Sequence, residues 1–444
     1  MVLPVLEEYH RNGILIDPAH MAKLSAKLRE LEAQTAASIE QCVGRPVNWN
    51  SPDAVSQLIF KDLGLKPPGR PKLTGTGDVS SADEVLATIR DQHPVVRMIQ
   101  DGRGFSKLRG TYSDKLPLLV WPDGRIRGTY KYTRTDTGRL AMDTPNLMNI
   151  PARSELGNEV RAGFVAQKGC KLASADFSQI EMVVAADLAG DQTMLNVFRN
   201  GLDIHTKTVV GVENPCMGHG REFWERMAYQ NKLEEAGQHV EWVQEEKKAW
   251  KEFKKLKRLV YKTVGFGLLY GQTDEGLQGN IEVNGGPRLP IEEVARISKA
   301  WWGMYQGIAD WMEEQHRRLR RFGMVWTFCG RIRRIPGAKS RIRRVVNEAL
   351  RAGGNMPVQG GAQELIKLAM AQVADLVEWF RDVYPNCIVR PLLQIHDELI
   401  FELSEDIAEE FCLLLRAIME SVARLAVPIG SSSVLGNTWA DLKG

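Results

Sequence analysis

After Asp17-Pro18 the apolar positions Leu24, Leu28 and Leu31 recur at helical spacing, so a helix is read there, opened by a capping aspartate and a first-turn proline. Ahead of it, Leu6 to Arg11 reads as a short helix, Asn12-Gly13 as a turn and Ile14 to Asp17 as a strand. Asn50-Ser51-Pro52 caps a further helix with Val55, Leu58 and Ile59 facing inward. The polar Gly/Pro run from Lys66 to Gly77 is a loop, either a contact for a nucleic-acid backbone or an ordinary surface loop. Ser80 to Glu84 opens another helix. Together these predict a small, mostly helical unit ending near Lys115.

From Leu116 the periodicity changes. Leu116 to Trp121 and Ile126 to Tyr132 read as strands around the turn Pro122-Asp123-Gly124. An apolar strand from Lys171 ends at Asp176, and a helix follows with Met182, Val183, Ala185 and Ala186. Asp187 and Asp191 read as surface or capping residues. Beyond Asp203, His205 and Thr206, a charged stretch from Glu234 to Lys257 is expected to be helical and solvent-facing. Ile291 to Leu319 reads as one helix with Trp301, Trp302, Tyr305 and Trp311 in the core. The segment Asn355 to Gly360 is set apart from a helix through Leu365, Leu368, Ala369 and Val373. From Pro391 to Leu403, two apolar runs flank His396-Asp397-Glu398, which predicts a β-hairpin with that triplet at its tip. A helix from Glu405 to Leu425 and a final Trp439 close the chain.

Composition narrows the class without choosing a function. The 444 residues are 43% hydrophobic and 25% charged, which suits a globular chain of about three domains. The net charge of +3 says little about partners, but its distribution says more. From Arg317 to Arg351 arginines dominate, and Glu348 is the only acid between them. Such a local positive field meets phosphates. The six cysteines form no C-x-x-C pair, which speaks against a zinc site or a disulfide framework and for a reducing compartment. No apolar run is long enough to span a bilayer, and Met1 to His10 lacks the features of a secretory signal. A soluble intracellular protein is expected.

Three stretches carry chemistry. In Lys257 to Gly271, read as a helix, Arg258, Lys262, Phe266 and Tyr270 fall four residues apart and so share one face. Two cations followed by two rings suit a nucleoside triphosphate laid along the helix, and equally suit a partly buried amphipathic helix. Asp176, at a strand end before a helix, projects into a cleft or caps that helix. The adjacent acids Asp397 and Glu398 at a tight turn repel each other, which a Mg²⁺ ion would offset.

Taken together, these pieces resemble the polymerase domain of family A DNA polymerases, the bacterial DNA polymerase I type. Asp176-Phe177-Ser178-Gln179-Ile180-Glu181 is similar to that family's first acidic motif, and Gln394-Ile395-His396-Asp397-Glu398 to its second. Arg258, Lys262, Phe266, Tyr270 and Gly271 match its finger-helix motif. Thr137 to Leu140 with Asn146 to Pro151, and Arg351 with Asn355 and Gln359-Gly360, resemble its template–primer contacts. The motifs run in the family's order over nearly the whole chain. The resemblance implies an α+β right hand with an antiparallel palm sheet, a helical thumb and helical fingers. Its expected parts are palm over 1–20, 116–195 and 355–444, thumb over 21–115, and fingers over 196–354.

By the same resemblance, Asp176 and Asp397, with the backbone carbonyl of Phe177, would hold two Mg²⁺ ions, which Mn²⁺ could replace, and Glu398 would assist. Arg258 and Lys262 would take the phosphates, Lys262 also as a proton donor to the leaving pyrophosphate. Phe266, Tyr270, Gln179 and His205 would line the dNTP site, although His205 alone reads as structural. Glu181 would exclude a ribose 2′-hydroxyl. Arg139, Asn146, Asn149, Arg351, Asn355, Gln359, Gln394 and His396 would grip primer and template.

The chain also departs from the family. Met182 and Val183 stand where an arginine is usual, and Gly265 where asparagine is common. Residues 213–250 are longer than the usual link, so an insertion in the fingers is expected. No room for a proofreading exonuclease precedes Met1, so the chain either lacks one or is a fragment. The resulting expectation is a monomeric DNA polymerase acting on primer–template DNA and dNTPs, with a separate accessory or exonuclease subunit conceivable. A phage source leads, with bacterial and organellar sources open. A single-subunit RNA polymerase and a catalytically silent DNA-binding protein on the same scaffold are the competing readings. A dinucleotide enzyme is disfavoured because Gly265, Gly267 and Gly271 do not make G-x-G-x-x-G.

Overall fold

The computed structural model describes residues 2–67, 73–75, 77–151, 154–235 and 238–442. Half of the loop from Lys66 to Gly77 lies outside these. The chain opens with helix α1 (Val2–Asn12), a two-residue strand β1 (Ile14–Leu15) and the long α2 (Pro18–Val43). The Asp17 carboxylate caps α2 as expected, accepting from the Ala19 and His20 amides. Ser51 caps α3 (Pro52–Ser56), and α4 (Asp83–Ala87) and α5 (Pro94–Leu108) follow. Val55, Leu58, Ile59, Leu86 and Ile99 make a small separate core here. The near end of α2, with Leu24 and Leu28, joins the main core instead.

Between 116 and 143 the sequence expectation needs correction. Leu116 to Leu119 is a short 3-10 turn, not a strand, and Leu118 is left exposed. Pro117 lacks the amide that a ladder needs. The turn at Pro122-Asp123-Gly124 is present, with Gly124 at φ +78°. Ile126 to Tyr132 is two strands. In β2 (Arg125–Ile126) Ile126 pairs with Ile14, and β3 (Thr129–Lys131) pairs with β4 (Ala141–Asp143). Gly128 parts them, where a Cβ would overlap the Met142 sulfur. Helix α6 (Glu155–Ala162) leads to β5 (Cys170–Phe177) and α7 (Ile180–Ala189).

Residues 192–322 form a helical cluster: α8 (Gln192–Arg199), α9 (Ile204–Val212), α10 (Arg221–Glu235), α11 (Gln244–Phe253), α12 (Leu259–Leu269), α13 (Asp274–Val283), α14 (Ile291–Met304) and α15 (Gln306–Phe322). The stretch expected to face solvent instead buries Trp250 and Phe253, and the Phe253 ring stacks with both Trp250 and Trp224 of α10. The single helix expected over 291–319 breaks at Tyr305. That residue leaves the helical region and bonds Thr208 Oγ1 at 2.7 Å through its hydroxyl. Asp191 is a capping residue, as read, but a buried one. It accepts from the Met194 amide at the start of α8 and from the Ile308 amide at the start of α15. Trp301 and Tyr305 are core residues, as expected.

A small hairpin, β6 (Met324–Trp326) and β7 (Ile332–Arg334), precedes α16 (Arg343–Val383), a 41-residue helix. The sequence suggested a separate segment at Asn355–Gly360, but α16 runs through it with Pro357 inside. An interior proline costs on the order of 3 kcal/mol. Burial of Met356, Val358, Leu365, Ile366 and Ala369 along the helix offsets it. The central sheet is antiparallel in the order β10 (Ser431–Gly436), β5, β9 (Glu398–Ser404), β8 (Val389–Ile395). Helix α17 (Ala408–Ser421) is shorter than expected and packs on β5 and β10. Trp439 is buried against Phe164. No helix among the described residues is long and apolar enough to cross a membrane.

Candidate active site

Strand alternation sets the first side chain. In β5, Ala175 and Phe177 are buried and Asp176 between them is exposed. The hairpin β8–β9 turns at His396-Asp397, as expected, while Glu398 is the first residue of β9 and pairs with Asp176 across the ladder. The Phe177 amide donates to the Asp397 carbonyl at 3.3 Å. The two acidic motifs, far apart in the chain, thus meet at one end of one strand pair. Only four non-glycine residues described have positive φ, and two of them flank these carboxylates: Gln179 at +53° and His396 at +56°. Such backbone costs energy and concentrates at functional sites.

Burial pushes the Asp397 carboxyl above the usual range, against the pull of His396 and Arg139, and its side chain hydrogen-bonds Asp176. Two carboxyls this close share a proton or take up a cation. No cluster of three or more metal-ligating side chains occurs among the described residues. The donor set present is the Asp176–Asp397 carboxylate pair, and Mg²⁺ binds through one or two carboxylates and completes its shell with water and substrate phosphates. The buried side-chain oxygens of Gln179, Gln394 and Asn355 have no hydrogen-bond partner among the described residues.

Helix α12 forms the facing wall. Asp176, Phe177, Gln179, Asp203, Arg258 and Lys262 line a cavity of about 490 Å³. Arg258 holds Asp203 with two bonds, Nε at 3.0 Å and Nη2 at 2.7 Å. Burial would raise the Asp203 carboxyl, but the Arg258 charge and hydrogen bond outweigh it and hold the group well below the usual range. His205 is buried, its ring 5.6 Å from that of Phe266. Burial, aided by the Arg258 and Lys262 charges and opposed by Asp203, lowers its imidazole to about 3, so it is neutral at pH 7. Tyr270 donates to one oxygen of Glu181, and Arg139 donates to the other. Arg139, Glu181, Gln359, Gln363, His396 and Asp397 line a second, narrower hollow on the other side of the carboxylates. Gly271, at φ +68°, lies against the Arg351 side chain, where a Cβ would approach Cγ to 2.8 Å.

Asn146 and Asn149 are less directly placed. Asn146 caps the 3-10 turn Leu147–Asn149, and the Asn149 carbonyl accepts from the Tyr112 hydroxyl at 2.7 Å. Gln394 is fully buried beneath the hairpin tip, its amide donating to the His396 carbonyl at 2.6 Å. The sequence reading missed two residues. Arg351, Asn355 and Gln359 continue at four-residue spacing through Gln363 and Lys367 along α16. Burial and the nearby Arg331 lower the Lys367 ammonium to about 8, and it donates to the Gly138 carbonyl beside Arg139. The spacing was available in the sequence, but the presumed break at Asn355–Gly360 hid it.

The sequence model of DNA polymerase family A matches residues 18–218 and 239–441. The thermostable DNA polymerase I of Thermus aquaticus is 34% identical over 440 residues, covering 99% of this chain and 47% of that protein. DNA polymerase I of Deinococcus radiodurans is 34% identical over 441 residues, covering 99% and 41%. The chain thus spans less than half the length of these relatives. Among solved structures, the polymerase domain of Pol1 from M. smegmatis, in complex with DNA primer–template and dNTP, superposes with a TM-score of 0.82 at 29% identity, covering 99% of this chain and 70% of that one. The fold is accordingly the α+β right hand of that polymerase domain, and the chain belongs to DNA polymerase family A.

Proposed function

We propose that this chain is a DNA-directed DNA polymerase that adds dNTPs to a primer 3′-hydroxyl and releases pyrophosphate. The observation that carries the reading is the Asp176–Asp397 carboxylate pair lining one wall of the site, with Arg258 and Lys262 on the wall across the cavity from Asp176. Phosphoryl transfer asks a protein mainly for positioning and charge stabilisation, and these walls supply both.

Asp176 and Asp397, with the Phe177 carbonyl, would hold the divalent metal ions that family A polymerases generally use, Mg²⁺ or Mn²⁺ in its place. Bound there, such ions supply a lowered pKa for the primer hydroxyl and charge for the leaving group. Glu398 supports the pair from the adjoining ladder position. Lys262 and Arg258 bind the triphosphate, and Lys262 gives a proton to pyrophosphate. For Arg258 this means exchanging Asp203 for phosphate. Phe266 lies against the sugar, Gln179 lines the cavity, the buried His205 backs the Phe266 ring without reaching the cavity, and Glu181 fills the space a 2′-hydroxyl would need. Tyr270 occupies the templating position by its bond to Glu181 until a template base replaces it. Arg139, Asn146, Asn149, Arg351, Asn355, Gln359 and His396 would grip primer and template, where minor-groove acceptors are alike for all base pairs, and the fully buried Gln394 would act through the His396 carbonyl it bonds.

In this reading residues 1–20, 116–195 and 355–444 are palm, 21–115 thumb and 196–354 fingers. One chain carries both the carboxylates and the cations, so a monomer suffices, and its substrates place it inside a cell. Primer extension on a templated hairpin with Mg²⁺ and dNTPs tests the reading. Wild type should extend the hairpin and Asp176→Ala should not, whereas a wild type that binds but never extends is a silent binder.

A further inference from the structure

Residues 219–238 are the one internal stretch that the family's sequence model leaves unmatched, and α10 occupies most of it. This helix does not hang free. Trp224 is fully buried, stacks on Phe253 at 4.1 Å between centroids, and donates to the Cys216 carbonyl at 2.9 Å. Asn231 accepts from Trp250 at 2.8 Å and from Lys254 at 2.9 Å, which ties α10 to the turn leading into Arg258.

The adjoining face, from Ala228 round to Tyr229, has a different character. Glu225, Ala228, Tyr229 and Lys232 fall at helical three- and four-residue spacing, and all four line the cavity that holds Asp176, Arg258 and Lys262. Glu225 is neutralised by Lys207 at 2.7 Å. Lys232 leans on the Gly201 carbonyl at 3.1 Å, and Tyr229 is 56% exposed to the cavity and solvent. Along α12 the rings Phe266 and Tyr270 lie toward Glu181, and the cations lie at the helix start. At about 1.5 Å per residue the run from Tyr270 to Arg258 covers about 18 Å. A triphosphate laid along it ends at Arg258, and α10 lines the cavity that Arg258 opens into, together with Arg199 and Gly201.

We propose that α10 is an added phosphate-side wall of the nucleotide site, in which Lys232 and Tyr229 contact the terminal phosphate of the incoming nucleotide and hold the pyrophosphate it becomes. This rests on the reading of the cavity as the triphosphate site. Lys232 would exchange a neutral carbonyl for a phosphate oxygen, a stronger charge-assisted bond. The insertion would then tighten both substrate and pyrophosphate binding, and tie product release to α10.

The test measures the affinity of the full chain for dTTP and for inorganic tripolyphosphate by calorimetry, alongside primer extension. Lys232→Ala should weaken both ligands about fivefold, and Tyr229→Phe about twofold. Lys232→Arg should restore wild-type affinity. Lys248→Ala, at an exposed position of α11 that does not line this cavity, should leave both affinities unchanged. In extension assays, KM for dNTP and the inhibition constant for pyrophosphate should rise by the same factor in Lys232→Ala. Equal tripolyphosphate affinity in Lys232→Ala and wild type overturns the proposal. So does an equal loss in Lys248→Ala, which would mark a general charge effect, and so does a wild type that binds neither ligand. A wild type that binds tripolyphosphate but does not extend primers refutes the polymerase reading alone, and the lysine comparison still decides the role of α10.

Discussion

The two walls of the site are held in different ways. On the carboxylate wall the backbone does the holding. β5 and β9 pair in unbroken register from Cys170 against Ser404 to Asp176 against Glu398, so Asp176 and Asp397 cannot part without opening the ladder. On the α12 wall side chains do it. Asp203 occupies Arg258, and Glu181 engages both Tyr270 and Arg139. A ladder is held by the backbone of two strands, whereas a side-chain ion pair can exchange its carboxylate for another anion without opening the backbone. The site therefore combines an acidic edge fixed by strand register with a cationic edge held by side chains.

Removing a carboxylate should break this contrast most sharply. Asp397→Ala should lower single-turnover extension about 10³-fold or more, with primer–template affinity kept. Loss of DNA binding in parallel would make the residue structural. Glu181→Ala acts where the walls meet. It should raise ribonucleotide use relative to dNTP about 10- to 100-fold in a competition assay, and unchanged sugar selectivity would remove the gate assignment. Asp203→Asn keeps a capping side chain for α9 but releases the ion pair, so KM for dNTP should fall about threefold. A rise would mean that Asp203 positions Arg258 instead of occupying it.

The smallest effect at working pH concerns His205. Its imidazole titrates near 3 when folded and near about 6.5 when unfolded. Below pH 6.5 the unfolded chain takes up this proton first, so the stabilisation present at pH 7 is lost as pH falls toward 3. The difference in Tm between wild type and His205→Gln should therefore shrink from pH 7 to pH 4. A constant difference would show that the ring is not buried neutral.

Much of this was legible along the chain. Asp17 and Ser51 cap their helices because capping is a local event, and the His396-Asp397 turn follows from two apolar runs too close together to do anything but pair. The errors arose where a local rule met a distant partner. Pro357 signals a helix end, yet the core on both sides of α16 carries the helix through it. Tyr305 reads as one more helical aromatic, yet Thr208 and Asp191 break the helix there. Glu402 is fully buried and held by Arg125 at 2.5 Å and Arg390 at 3.0 Å, partners that no local pattern announces.

The sequence by itself determined the chemistry available: two acidic motifs, a helix face of cations and rings, and their order along the chain. Only the tertiary structure decided which of these meet. Strand register paired Asp176 with Glu398 and so set Asp397 beside it, and packing of Trp224 on Phe253 placed α10 along the cavity. Periodicity and capping are written within a few residues, whereas burial and ion pairing depend on segments that approach only once the core has formed.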